Sequence, residues 1–199
     1  MAKNFAENDW SDPIALFQTW MDEAGTTELN DPNAVALATA TADGAPSVRM
    51  VLLKQLDERG FAFFTNAESE KGRQLAENAQ AAMCFHWKSQ RRQVRVEGSV
   101  SELSSVEADN YFHSRSRRSQ LGAAASHQSQ VLESREQLED MVRKLAEEFP
   151  GEIPRPAYWK GFVLAPWRIE FWQDGADRLH DRMLFERQGD GWVTSRLFP

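Results

Sequence analysis

The stretch "NAVALATATADGAPSVRMVLLKQLDERGFAFFTN" (residues 33–66) decides the fold. Three apolar runs are separated by two turn signals, Asp43-Gly44 within "ADGAP" and "DERG" at 57–60. Asp-Gly between such runs marks a hairpin, because both residues accept the positive φ that a tight turn needs. Short apolar, β-branched or aromatic runs bounded by turns read as strands. The middle run, Pro46 to Leu56, reads as one buried strand, yet it carries Arg49 near one end and Lys54 near the other. Desolvating an unpaired cation costs several kcal/mol or more, on the order of 5. Either both side chains reach water at the strand ends, or something anionic meets them. In a regular strand Arg49, Val51 and Leu53 share one face, and Met50, Leu52 and Lys54 the other. The two cations then face apart, which suits two phosphates or one elongated ligand.

Outward from this stretch, the pattern repeats. "AAMCFHWK" and "RQVRVEGSVSEL" read as strands, as do "GFVLAPWRIEFWQD", "DRMLFERQ" and "GWVTSRLFP", with "QGDG" as a hairpin turn. "DPIALFQTWMDEAG" has helical spacing, Asp12 as a possible N-cap and Pro13 at the first helical position. "SEKGRQLAENAQ" and "SSVEADNYFHSR" read as helices started by Ser69 and by Ser104 or Ser105. "REQLEDMVRKLAEEFP" is an amphipathic helix ended by Pro150 and Gly151. Seven or eight strands, mostly hairpin-linked, favour a mainly β (α+β), antiparallel, nearly closed barrel with peripheral helices. Residues 1–11 read as a flexible N-terminal tail and 12–199 as a single domain.

The 199-residue chain has a formal net charge of −7, which argues against general nucleic-acid binding. No apolar run reaches membrane-span length and the N-terminus carries no signal-peptide core, so no membrane partner is expected. Cys84 is the one cysteine, so no internal disulfide forms; this fits a reducing cytoplasm. The four histidines show no ligand spacing with it, and no metal site is expected. No phosphate-binding glycine loop and no nucleophile elbow is present.

Cations and hydroxyls gather in four places instead. Arg49 to Lys54 is the first. Thr65, Ser69 and Lys71 surround a strand end and a helix start, where free N–H groups and the dipole favour an anion. Tyr111, Arg115, Ser119, Gln128 and Ser129 form the third; Trp172, Arg178, His180 and Arg182 the fourth. In an acidic protein, four such clusters suit phosphates carried by small molecules.

With these clusters on view, the sequence resembles the pyridoxamine 5′-phosphate oxidases from about Asp12 to Pro199. The likeness rests on "RMVLLK", "FFTN", "YFHSR", "SQLGAAASHQS", "RIEFWQ", "RLHDR" and the terminal "RLFP", in the family's order. It implies an FMN-binding split β-barrel and a homodimer with FMN at the interface. Arg49, Met50, Val51, Leu52, Leu53, Lys54, Phe64, Thr65, Lys71, Gln93, Gln128, Ser129, Trp172 and Arg182 would hold FMN. Lys54, Tyr111, Arg115 and Ser119 would hold the substrate phosphate. Arg178, Leu179 and His180 would meet the substrate, Arg178 and His180 as catalytic residues. The implied reaction oxidises pyridoxine and pyridoxamine 5′-phosphates to pyridoxal 5′-phosphate and reduces dioxygen to hydrogen peroxide. The rivals are a related split-barrel flavin oxidase with another substrate and a non-catalytic flavin- or pyridoxal-phosphate-binding protein. Three departures stand out. Glu70 replaces the family's usual Arg, so it must point away or weaken FMN binding; Ala124 stands where a Trp is common; and the short N-terminus lacks a basic, Tyr-containing lead segment.

Overall fold

The computed structural model describes residues 5–199. Its strands are β1 (Ala34–Ala40), β2 (Pro46–Leu52), β3 (Gln55–Asp57), β4 (Gly60–Asn66), β5 (Gln80–Trp87), β6 (Arg92–Glu102), β7 (Trp159–Gln173), β8 (Asp181–Gln188) and β9 (Gly191–Arg196). Its α-helices are α1 (Pro13–Gly25), α2 (Glu70–Glu77), α3 (Ser105–Ser114), α4 (Arg117–Ala125) and α5 (Arg135–Glu148). The strands make one antiparallel sheet in the order β2-β1-β5-β6-β7-β4-β3, with β8 added to β7 and β9 to β8. Its two ends, β2 and β3, are separated in the chain by Leu53 and Lys54 alone. So short a link forces the sheet to curl until its edges meet, which makes the expected mainly β, antiparallel barrel with peripheral helices.

The β1–β2 hairpin turns at Gly44, whose φ of +91° is open to glycine without steric cost. β7 is the spine. Its first half pairs with β4, its second half with β8, and β6 runs along the opposite edge of both. The exchange falls at residues 165–167, where the β6–β7 register shifts between Glu97 and Gly98: Trp167 of β7 is left without a partner on β6, and Pro166 stands at this bulge, a place where a strand tolerates proline.

The barrel interior is aromatic. Phe17 of α1 meets Phe61 at 4.9 Å and Phe85 at 4.7 Å between ring centroids. α1 exists for the reasons the sequence suggested: the Asp12 carboxylate accepts from the N–H groups of Ile14 and Ala15, Pro13 starts the helix, and Leu16, Phe17, Trp20 and Ala24 are buried. A smaller cluster of Phe112, Leu121, Ile153 and Trp159 sits under α3, α4 and α5.

Several expectations need correction. The run 47–56 is not one buried strand: β2 ends at Leu52, lies at the sheet edge, and leaves Val48 67% and Met50 64% exposed. Leu53 drops into the core, and 55–57 form a separate strand on β4. The basic stretch after Arg115, for which no helix was expected, is α4. Cys84 is half-buried, and burial raises its thiol pKa. Within the expected tail, Phe5 is 1% exposed and packs on Trp10 and Trp20, since a ring of that size gains more in the core than in water. Residues 1–4 of that tail lie outside the described residues. Among the described residues no helix is long and apolar enough to cross a membrane.

Candidate active site

A cavity of about 770 Å³ opens between β2, the end of β4, the start of α2 and the α3–α4 corner. Arg49, Met50, Val51, Leu52, Lys54, Phe64, Thr65, Lys71, Tyr111, Arg115, Ser119, Gln128 and Ser129 all line it. The ending of β2 at Leu52 brings Arg49 and Lys54 onto one cavity, although a continuous strand would have turned them apart.

One end of the cavity is built for an anion. Ser69 caps α2, and the Lys71 ammonium is folded back inside its first turn, only 6% exposed. It donates to Thr65 Oγ1 (3.1 Å), Ser69 Oγ (3.2 Å) and Gln128 Oε1 (2.9 Å). Arg49 donates to Thr39 Oγ1 and Ser47 Oγ, both at 2.5 Å, and those hydroxyls in turn hold Gln74 Oε1. Burial is the main reason the Lys71 pKa falls to about 8, and repulsion from Arg49 adds to it. Burial lowers the Arg49 pKa as well. Glu70 does not point away: it lines the cavity, and its charge opposes both shifts. Its place in the first turn of α2 is one where the helix dipole favours an acid.

The other end is aromatic with a cation on it. The near-parallel rings of Phe64, Tyr111 and Trp159 form a triangle, with centroids 4.1 Å (Phe64–Tyr111), 5.3 Å (Phe64–Trp159) and 6.0 Å (Tyr111–Trp159) apart. The Arg115 guanidinium lies 5.1 Å over the Trp159 ring, and burial lowers its pKa. Among the described residues its buried Nη1 has no hydrogen-bond partner. A buried donor left unmade is costly and calls for an anionic acceptor. Ser116, the N-cap of α4, lies 2.9 Å from the Ser119 hydroxyl beside it.

The remaining expected residues are elsewhere. Leu53 is 4% exposed in the core and is not part of this cavity's lining, because its N–H is tied to Asn33 O and its side chain fills the barrel. Gln93, Trp172, Arg178, Leu179, His180 and Arg182 gather around the far end of β7. Gln93 pairs with Trp172, and Trp172 with Arg182, in register. Arg182 donates to the buried Glu170 (2.8 Å) and to Phe198 O (2.8 Å). The His180 ring lies 4.8 Å from that of Trp172. The loop between β7 and β8 turns through positive φ at Asp177 (54°) and Arg178 (63°). Gly175 is required there, since a Cβ would stand 2.1 Å from Leu179 O.

Ser47, Val48, Ser116 and Trp159 also line the cavity and were not anticipated. Ser47 was within reach, since it shares the strand face of Arg49. Trp159 has no local signal; only the packing of β7 against α3 puts it there.

Comparison with known proteins gives the family and the fold. Residues 21–148 match the family described as pyridoxamine 5′-phosphate oxidase, and residues 159–199 the pyridoxine 5′-phosphate oxidase C-terminal dimerisation region. A pyridoxine/pyridoxamine 5′-phosphate oxidase of Erythrobacter litoralis is 59% identical over 194 residues, covering 95% of this chain and 92% of that protein. One from Rhizobium meliloti is 56% identical, covering 96% and 94%. Among solved structures, PhzG from Burkholderia lata in complex with tetrahydrophenazine-1-carboxylic acid superimposes with a TM-score of 0.93 at 35% identity, covering 100% of this chain and 98% of that one. An FMN-binding protein of Nostoc punctiforme shares the fold, with a TM-score of 0.78 at 17% identity over 94% of this chain and 98% of that one.

Proposed function

The chain belongs to the pyridoxamine 5′-phosphate oxidase family, an FMN-dependent oxidase, and from that premise we propose that it oxidises pyridoxine 5′-phosphate and pyridoxamine 5′-phosphate to pyridoxal 5′-phosphate, with dioxygen reduced to hydrogen peroxide. The observation that carries the reading is the pair of anion stations on one cavity: Arg49 with Lys71 at one end, and the unpartnered Arg115 Nη1 at the other. Two phosphomonoesters, one on the cofactor and one on the substrate, answer to two stations.

When bound, FMN supplies the two-electron acceptor. Arg49, Lys71, Thr65, Gln128 and Ser129 hold its phosphate end. Lys54, Tyr111, Arg115 and Ser119 anchor the substrate phosphate. Gln93, Trp172, Arg182 and the loop carrying Arg178, Leu179 and His180 complete the cavity from the partner subunit of a homodimer. Arg178 orients the reacting ring and His180 assists. Anchoring at the phosphate converts binding energy into alignment of the reacting carbon. A cytoplasmic setting accords with the single cysteine.

The likeness to PhzG keeps a second substrate class in view, a carboxylated polycyclic amine. Purified protein given pyridoxine 5′-phosphate should form the aldehyde product, followed by its absorbance, and should turn over faster than with a phenazine precursor. Arg115→Ala should mainly raise KM, because it removes a contact common to ground and transition states. Arg178→Ala should lower kcat as well, and both should keep FMN. An Arg178→Ala enzyme with parental kcat and KM would remove the loop from the active site.

A further inference from the structure

His180 does not stand alone in its loop. Its Nδ1 lies 3.0 Å from Asp174 Oδ1 and accepts geometrically from the Gly175 N–H at 3.2 Å. The other carboxylate oxygen, Oδ2, is ion-paired with Arg91 on the β5–β6 turn, and the Asp174 N–H donates to Arg91 O at 3.0 Å. Asp174 is thus held from the neighbouring turn on two sides, and its free oxygen is aimed at the imidazole. The Asp174 side chain is 18% exposed and that of His180 22%. The Trp172 ring covers one side of the imidazole.

The two neighbours of Nδ1 ask for opposite things. An N–H donor is satisfied by a bare Nδ1 lone pair; a carboxylate is satisfied only by a proton on Nδ1. A carboxylate facing a lone pair is repulsive, whereas a backbone N–H can turn to water at the loop surface. The stronger, charge-assisted contact decides. We propose that Asp174 is a positioning residue that keeps the proton of His180 on Nδ1 and turns Nε2, the nitrogen on the other side of the ring, toward the substrate. Among the described residues Nε2 has no hydrogen bond. His180, the residue that meets the substrate, is therefore fixed in orientation and tautomer by a carboxylate that itself touches no substrate.

This inference rests on the assignment of His180 to the reaction, and the test separates the two. Nitrogen NMR of the holoenzyme labelled at histidine, with the His180 signals identified by their loss in His180→Ala, reads the tautomer without reference to turnover. The parent should show a protonated Nδ1. Asp174→Ala leaves the Gly175 N–H as the sole neighbour, so Nδ1 should become an acceptor and its proton be lost. Its kcat should fall about tenfold or more, the usual scale for removing such a support, with KM and FMN affinity within about twofold. Asp174→Asn keeps a carbonyl oxygen at the site and should recover most of kcat. A parent with a bare Nδ1 overturns the inference, as does an Asp174→Ala enzyme with parental kcat while His180→Ala is impaired. If His180→Ala is itself silent, the catalytic reading of His180 falls, and the NMR result alone judges Asp174.

Discussion

Lys71 shows how one residue ties burial to cofactor chemistry. Its ammonium is enclosed by Thr65, Ser69 and Gln128, and its pKa has fallen from 10.5 to about 8, by burial first and Arg49 second. Between those two values the unfolded chain binds more protons than the folded one, so the cofactor-free protein gains stability as pH rises through that window. FMN affinity should run the other way. A phosphate dianion needs the charged amine, so the dissociation constant should rise by up to about tenfold per pH unit above that lowered pKa. Fluorescence titrations of FMN on either side of pH about 8 measure this, and Lys71→Met should flatten the profile while weakening binding throughout. The expectation of an anion at Lys71 came from the sequence, because a Ser-capped helix start beside a strand end favours one. The depth of its burial was not, since Gln128 and Thr65 reach it only through tertiary packing.

Among the elements, β2 carries the lesson about what composition conveals and reveals. Its apolar residues read as a core strand, yet Val48, Met50 and Leu52 line the cavity from an edge position. Composition reports that a surface wants covering; it does not say whether protein core or ligand covers it. Leu53 is the one hydrophobic residue of the run that is fully buried in the core, with Val51 and Leu56 packed partly buried against it. Leu53→Ala should cost about 2–4 kcal/mol of stability by leaving a cavity, measured by urea unfolding of the cofactor-free protein at fixed concentration. The folded fraction should keep near-parental FMN affinity, in contrast to Arg49 or Lys71 variants. Helices with clear caps and periodicity, α1 and α5, were legible. α4 was not: it opens on two arginines and buries only Gln120, Leu121 and Ala125, too little apolar pattern to stand out. β3 was missed because three residues carry no periodicity.

At the scale of the whole molecule, the site residues fall into two groups at different ends of β7, and no local signal in the sequence joins them. The family resemblance placed Gln93, Trp172 and Arg182 in one site with Arg49; in a single chain they line no part of its cavity. The proposed completion by a second subunit would reconcile the two, and the C-terminal segment matches a dimerisation region. Serial dilution followed by light scattering and flavin fluorescence should therefore show monomer formation and FMN release together. A monomer retaining full FMN affinity would contradict the shared site.

β7 sets the distance between those two groups. It is 15 residues long, on the order of 50 Å if fully extended, and it is gripped along one edge by β6 and along the other by β4 and then β8. Such a strand is a ruler. One added or lost residue between Leu164 and Arg168 would reverse the facing of everything beyond it and shift Trp172 against its ladder partners. The connections around residues 126–134 and 150–158 belong to no strand and are held by no such ladder. Descendants of this gene are thus free to vary in length at the exposed residues 130–134, beyond the cavity-lining Gln128 and Ser129, while the span of β7 must be inherited residue for residue.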